Sequence, residues 1–331
     1  AWNVQNGTMG QIYFSNQFGQ RKNATLPGKI IVSPNSKYVV AGFDEGTVRI
    51  WETQTGDLVD VYYDHADMIT ALHFAPDNPS VNRVLTASLD STAKLWYTEN
   101  AETIHTFKHN GAVFDAAFSP DGTLIATAGA DSLAIIWDTK TGDILYKLEG
   151  HTEAVLSLTF SPDGTKLLTT SADGTARVWD TRKGTALERL TGHKNIVYTG
   201  VFSPDGNRIV TCSADSTIKI WNGRNGGWIQ NLRGHQGIIR KIAFTPNGAS
   251  LVSVSADHTA RLWDVTTGRT VQVLGSTASQ TRELLKNQQV PNLNSSTGHT
   301  GEIYDIAFSR NNEYIATVGT DHKVFFWNIN T

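Results

Sequence analysis

Tryptophan recurs along the 331 residues at a near-constant interval: Trp51, Trp96, Trp137, Trp179, Trp221, Trp263 and Trp327. The gaps are 45, 41, 42, 42, 42 and 64 residues. An acid stands six positions before each: Asp90, Asp131, Asp173, Asp215, Asp257 and Asp321, with Glu45 in the first unit. Six histidines keep the same period: His65, His109, His151, His193, His235 and His299. Between them runs an aromatic–small–proline triplet, as in Phe118-Ser119-Pro120, Phe160-Ser161-Pro162 and Phe202-Ser203-Pro204. Several correlated features copied seven times constrain the fold before any element is assigned, because every copy must solve the same packing problem.

Each unit reads as short strands. Residues 154–160 (AVLSLTF) and 175–180 (TARVWD) alternate, while 166–171 (KLLTTS) and 144–148 (ILYKL) are apolar-rich runs. Turn formers separate them: Pro162-Asp163-Gly164, Asp173-Gly174 and Thr141-Gly142-Asp143. Four strands in about 42 residues, with almost no helical period, predict repeated four-stranded antiparallel sheets. One such sheet cannot bury both of its faces, so the copies must stack. Seven of them set radially make a ring that leaves only short, protected edges.

At this point the sequence resembles the WD-repeat β-propeller family, over essentially its whole length. Gly150-His151, Ser161-Pro162-Asp163-Gly164, Ser171, Asp173 and Trp179-Asp180 carry the pattern in one unit. The resemblance implies an all-β, seven-bladed propeller of four-stranded blades. It also implies a buried hydrogen-bonded chain of His, Ser/Thr, Asp and Trp in each blade, since a buried carboxylate needs donors. Carried over, the chains are His65-Ser88-Asp90-Trp96, His151-Ser171-Asp173-Trp179, His193-Ser213-Asp215-Trp221 and His235-Ser255-Asp257-Trp263. Gly129 and Gly319 stand at the serine place in two further units. The first unit, with Phe43 and Glu45 and no matching histidine, is expected to lack the chain.

The last unit stops soon after Trp327, and residues 11–15 (QIYFS) can supply its fourth strand, closing the ring. Residues 1–25 then form an N-terminal arm containing that strand, within a single propeller over 1–331. Trp2-Asn3 before Asn6-Gly7 reads either as an accidental arm sequence or as the end of a preceding unit. A start at Ala1 points to processing or to a piece of a longer protein. Two length departures stand out, at 77–82 and at 276–297, the latter a polar insertion with a short helical possibility at 278–287. The resemblance places 276–297 and the loop at 16–26 on the same upper face, where loops of this length either are neutral or carry function.

The chemistry-bearing residues mostly repeat, and repetition assigns them to structure. No His-x-x-His, cysteine pair or calcium-loop pattern appears, so no metal or other cofactor is expected. No glycine-rich loop precedes a helix, and no unrepeated acid–base constellation is present, so the expectation is a non-enzyme. A net charge of −3 with scattered basic residues argues against nucleic acid as partner. No apolar run is long enough to insert in a membrane. The single cysteine, Cys212, excludes an internal disulfide and points to a reducing, intracellular and cytoplasmic setting. His73 and His105 stand singly in strands; His258 and His322 each follow a blade aspartate, as turn residues or as contacts.

What remains for recognition is the set of positions that differ between blades. In the family, two flank the first residue of each first strand and one precedes the blade acid. Here they include Met68, Leu89, Phe114, Leu156, Ile196, Tyr198, Ile238, Arg240, Glu302 and Tyr304. Apolar and aromatic side chains at a solvated mouth suggest a protein or peptide partner, with Phe114, Tyr198, Arg240 and Tyr304 as anchors. The alternative is that some of them pack into the channel wall. The expected function is a non-catalytic interaction scaffold in a multi-subunit assembly, or a sensor or recruitment domain attached to an effector. Trp179-Asp180-Thr181-Arg182 also matches a W-D-x-R pattern of cullin–RING ubiquitin ligase substrate receptors, nearly repeated at Trp221-Asn222-Gly223-Arg224.

Overall fold

The computed structural model describes residues 2–3, 8–9, 27–76, 83–275, 298–308, 313–321 and 323–328. The expected closing strand at 11–15, the loops at 16–26 and 77–82, the insertion at 276–297 and His322 all lie outside the described residues. Among the described residues every regular element is a β-strand.

Trp2–Asn3 and Thr8–Met9 pair as a short antiparallel sheet. Seven further sheets follow, each with its strands in chain order. The first contains Pro27–Val32, Tyr38–Phe43, Val48–Glu52 and Leu58–Tyr62. The fifth contains Val197–Phe202, Arg208–Ser213, Thr217–Asn222 and Trp228–Arg233. In the fourth, Val155–Phe160, Lys166–Ser171 and Ala176–Asp180 match the sequence expectation to within a residue. The seventh has three described strands, Ile303–Phe308, Tyr314–Gly319 and Val324–Asn328. This is the all-β, seven-bladed propeller class that the repeat called for.

The chain divides into two compact units, Ala1–Leu158 and Thr159–Thr331. In the first unit, Val40, Val48, Ile50 and Tyr62 of blade one pack with Ile69, Leu72, Val84 and Trp96 of blade two. Blades two and three share a second cluster that includes Leu85, Leu95, Phe107, Val113 and Trp137. In the second unit, Val210, Ile218, Ile220 and Leu232 of blade five meet Ile239, Ile242 and Trp263 of blade six. Blade six in turn meets Ile303, Ile306 and Trp327 of blade seven. A sheet covered on both faces has no solvated side to alternate toward. Second strands such as Arg208–Ser213 accordingly bury every residue but the first. Fourth strands such as Ala186–Leu190 lie at the sheet edge and are mostly exposed.

Two irregularities recur and matter for the site. In the first strands of blades one, two, three, five, six and seven, the ladder skips one residue just after the first pair. A second skip falls opposite the blade tryptophan, in the fourth strand, as at Leu145 and Ile229. Such bulges leave one residue unpaired and turn its side chain in a direction the regular pleat would not give.

Candidate protein-interaction site

Each blade has an upper end, where the second strand turns into the third and the chain enters the first strand. Backbone hydrogen bonds tie these two segments together. The Leu89, Ala130, Ala214, Ala256 and Thr320 N–H groups donate to the carbonyls of Met68, Ala112, Ile196, Ile238 and Glu302, at 2.8–3.0 Å.

A side-chain relay reinforces that tie. The histidine Nδ1 lies 2.7–3.0 Å from the blade aspartate in the pairs His65–Asp90, His109–Asp131, His193–Asp215, His235–Asp257 and His299–Asp321. Its Nε2 lies 2.7–2.9 Å from a hydroxyl of Thr86, Thr127, Thr211, Ser253 or Thr317. The tryptophan Nε1–H of Trp137, Trp179, Trp221, Trp263 and Trp327 donates to Thr127, Thr169, Thr211, Ser253 and Thr317. An indole can only donate, so the hydroxyl proton points to His Nε2 and the ring proton on Nδ1 points to the carboxylate. The aspartate also accepts the N–H of the residue after the histidine, as with Ala66 on Asp90 and Gln236 on Asp257.

These contacts correct the sequence expectation for the hydroxyl. Ser88, Ser171, Ser213 and Ser255 do not link histidine to tryptophan. Each instead accepts the N–H of the aspartate two residues on, at 3.0–3.1 Å. Ser88 and Ser213 also donate to the carbonyls of Asp67 and Asn195. The linking hydroxyl sits two residues earlier on the same face, diagonally across from the tryptophan. In blade six, Ser253 pairs with Arg261, two positions from Trp263. Gly129 and Gly319 therefore leave their blades' relays complete. The signal was present in the sequence as a Thr or Ser ten residues before each of the seven repeat tryptophans except Trp51, where Ala41 stands.

Electrostatics follow from this wiring. Burial alone would raise the Asp90, Asp215 and Asp257 carboxyls, but the hydrogen bonds from histidine, threonine and backbone N–H hold all three well below the usual range. Asp321 is held down to about 2 against the same opposing desolvation. Burial lowers His235 despite its hydrogen bond to Asp257, which favours the charged form. Blade two departs: the Trp96 indole N–H is buried without a partner, and the ring stacks on Tyr62 at 4.4 Å and 6°.

The recognition candidates occupy defined places on this frame. Phe114, Tyr198, Arg240 and Tyr304 are the residues skipped at the first-strand bulges. Hydroxyls of the preceding blade hold two of these positions by their carbonyls, Thr170 on Tyr198 and Thr199 on Arg240. In the first unit, Met68, Leu89, Phe114 and Leu156 are half-buried. In the second, Ile196, Tyr198, Ile238, Arg240 and Glu302 are half-buried, Tyr304 is 46% exposed and His258 is exposed.

The structure brings three of them together. Arg240 Nη2 donates to Glu302 Oε2 at 3.2 Å, and its guanidinium lies 5.1 Å from the Tyr198 ring centre. Lys241 and Asp305 form a second ion pair between the same two blades. His258 has a left-handed backbone (φ 68) at the turn position that Gly46, Ser91, Ser132, Gly174 and Ser216 fill in other blades. Sequence reasoning missed the exposed fourth-strand apolars, among them Val59, Leu145, Leu187, Ile229 and Val271, with Trp228 at 60%.

Among the described residues, no group of three or more His, Cys, Asp or Glu is placed to hold a metal. His105 Nε2 meets the Lys140 carbonyl at 3.1 Å. Cys212 is buried and its thiol is pushed up to about 12 by desolvation. No helix among the described residues is long and apolar enough to cross a membrane.

The family model for the WD domain, G-beta repeat, matches seven segments: 28–52, 56–97, 101–138, 142–180, 184–222, 226–264 and 291–328. The chain belongs to the WD40 repeat family, whose propellers generally act as non-catalytic platforms for protein interaction. It is similar to Periodic tryptophan protein 2 of Arabidopsis thaliana, 30% identical over 38% of this chain and 14% of that protein. It is also similar to WD repeat and SOCS box-containing protein 1 of Danio rerio, 32% identical over 30% of this chain and 24% of the relative. Small ribosomal subunit protein RACK1y of Oryza sativa subsp. japonica is 35% identical over 26% of this chain and 25% of its own length. The matched stretches thus span a quarter or less of each relative.

Proposed function

We propose that the chain is an interaction scaffold of a multi-subunit assembly that takes a partner protein or peptide on the upper ends of its blades. The observation that carries this reading is the bulge set: Phe114, Tyr198, Arg240 and Tyr304 are turned out of the ladder on rigid strands. Side chains held by packed sheets cost little ordering entropy when a partner binds. Tyrosine and arginine are the residue types that most often anchor such contacts. The lone buried thiol of Cys212 supports an intracellular, cytoplasmic setting.

The test replaces Phe114 and Tyr198 with Ser and compares thermal unfolding with partner capture by the full-length protein from its native cell. Unchanged unfolding with a lost partner supports the rim. Loss of the cooperative transition assigns both residues to the core and removes the reading.

A second reading, recruitment to an attached effector, is favoured by the relative whose name joins WD repeats to a SOCS box. The W-D-x-R turn adds support: Arg182 is exposed, and its N–H donates to Asp180 Oδ1 at 2.9 Å, which fixes the backbone of the turn that carries it. Arg182→Ala should abolish co-purification of a ubiquitin-ligase adaptor under this reading and leave the rim partner bound.

A further inference from the structure

Blades two and five build the same upper edge with a different balance of charge. In blade two, Lys94 stands two residues before the blade tryptophan and Asp64 stands just before the blade histidine. The Lys94 ammonium pairs with the Asp64 carboxylate at 2.7 Å and donates to the Asp64 carbonyl at 2.9 Å. Thr103 donates to the same carboxylate oxygen at 2.8 Å. That carboxylate is half exposed, so it meets the lysine from the solvent side.

Blade five keeps the cation and loses the acid. Lys219 takes the place of Lys94, and Gly192 takes that of Asp64. Arg233, opposite Thr217, takes the place of Lys108, opposite Thr92. Lys194, directly after His193, adds a third cation where blade two has Ala66. Lys194 and Arg233 are exposed, and neither forms an ion pair among the described residues. Lys219 donates to Asn231 Oδ1 at 2.9 Å, which leaves it two N–H groups. Desolvation and the like charges of Arg233 and Lys194 lower its ammonium, against the attraction of Asp215. Asp215 is already engaged at both oxygens. Oδ1 accepts the N–H and hydroxyl of Thr217, while Oδ2 takes His193 and the backbone N–H of Lys194.

The approach to Lys219 is open. Apart from its chain neighbours, a Cβ at the exposed Gly192 would meet within 4 Å only Lys219 Cε and Nζ, at 3.8 and 3.9 Å. The space over this glycine therefore leads from solvent to the ammonium. Blade six supplies the contrast. Arg261 takes the cation place and Gly234 the acid place, but a Cβ at Gly234 would stand 2.7 Å from Arg261 Nη1. Arg261 is 2% exposed, and its Nε and Nη2 are buried without partners. Loss of the acid strands the cation in both blades, and of the two it is blade five that leaves a way in.

We propose that the upper fourth-strand edge of blade five is a second docking site, where a glutamate or aspartate side chain of a partner protein supplies the carboxylate that Asp64 supplies in blade two. That carboxylate takes the free N–H groups of Lys219, and flanking acids of the same segment pair with Lys194 and Arg233. The site lies on the third and fourth strands, across the sheet from the first-strand bulge at Tyr198. It stands or falls independently of the rim reading.

The experiment follows backbone amide resonances of the full chain during titration with N-acetyl-Gly-Glu-Asp-Glu-Gly amide. The Gly-Gln-Asn-Gln-Gly counterpart and inorganic phosphate serve as the two comparison probes. The acidic peptide is expected to shift the amides of Gly192, Lys194, Lys219 and Arg233, with the neutral peptide leaving them in place. Asn231→Asp sets a carboxylate on Lys219 from within the blade, in an unchanged shape. It should weaken peptide binding about tenfold without lowering the unfolding temperature. Arg233→Gln, at an exposed position, should weaken binding several-fold. The rim variant Phe114→Ser should bind the peptide as the parent does. Equal shifts from both peptides, shifts with phosphate that the peptide does not exceed, undiminished binding by Asn231→Asp, or no shifts at all would each overturn the proposal.

Discussion

Blades one and five answer the same structural demand with different chemistry. In blade five a directional chain runs from Trp221 through Thr211 and His193 to Asp215, every link at 2.8–3.0 Å. In blade one Ala41 replaces the threonine and Glu45 the aspartate. Glu45 there pairs with Arg49 at 2.7 Å, the Arg49 guanidinium lies 4.4 Å from the Phe43 ring centre, and Phe43 tilts against Trp51. The repeat thus preserves the place of the contact and not its atoms. What differs is the exchange with solvent. The relay is the more closely covered, with the His193 and Asp215 side chains 2% and 10% exposed, whereas the Arg49 and Glu45 side chains remain 12% and 21% exposed.

Acid should separate the two designs most. Asp90, Asp215, Asp257 and Asp321 have folded-state carboxyls held below their unfolded value of about 3.9. The stability they contribute is fully present above about pH 5 and is lost as pH falls through 4 toward the folded values. His235, lowered by burial, adds a contribution that is present above its unfolded value near 6.5 and declines below it. Chemical denaturation between pH 7 and 3 should show a shallow loss from about 6.5 and a steep one below 4. A flat profile through pH 3 would mean that the relay aspartates are not held in their ionised form.

Removing the central hydroxyl comes next. Thr211→Val keeps the volume but leaves His193 Nε2 and the Trp221 N–H buried without partners, a cost of about 2–4 kcal/mol. The reciprocal change, Ala41→Thr, should not stabilise blade one. Ala41 is 3% exposed, and an added hydroxyl there overpacks by about 1–3 kcal/mol. Stabilisation by Ala41→Thr, measured by urea unfolding, would show that blade one has room for the relay hydroxyl and would erase the distinction between the blades.

The fold could be read from spacing because the period of the tryptophans counts strands directly. The recognition residues could be placed only by position. Phe114, Tyr198, Arg240 and Tyr304 are ordinary strand letters in the sequence, and their displacement from the ladder comes from a bulge that no residue type signals. The serine expectation failed for a related reason: Thr169 and Ser171 share a face, and only register decides which of them meets Trp179. The tie between blades four and five was hidden because Gly223 looks like a neutral turn residue until Lys166 is seen to reach its carbonyl across blades.

The turn after each blade acid gives a smaller contrast. Blade one has Gly46 at φ 84, where blade six has His258 at φ 68. A side chain in the left-handed region is disfavoured by about 1–2 kcal/mol, offset in part by the greater unfolded-state freedom of glycine. His258→Gly should therefore stabilise by roughly 0.5–1 kcal/mol, seen as a rise of a few degrees in Tm. A fall in Tm would show that the imidazole makes a contact worth more than the backbone strain.

The ion pair of blade one should give the smallest effect. Glu45→Gln keeps the shape and a hydrogen-bond acceptor for Thr47 and Arg49 while removing the charge. A partly exposed pair of this kind contributes about 0.2–1 kcal/mol, and salt screens it. The substitution should cost about 0.5 kcal/mol at low ionic strength and less in 1 M salt. Thr211→Val should cost the same at both, because the substitution removes a neutral hydroxyl and leaves every charge in place. A salt-independent loss at Glu45 would place the blade-one pair, against its exposure, in the same class as the relay.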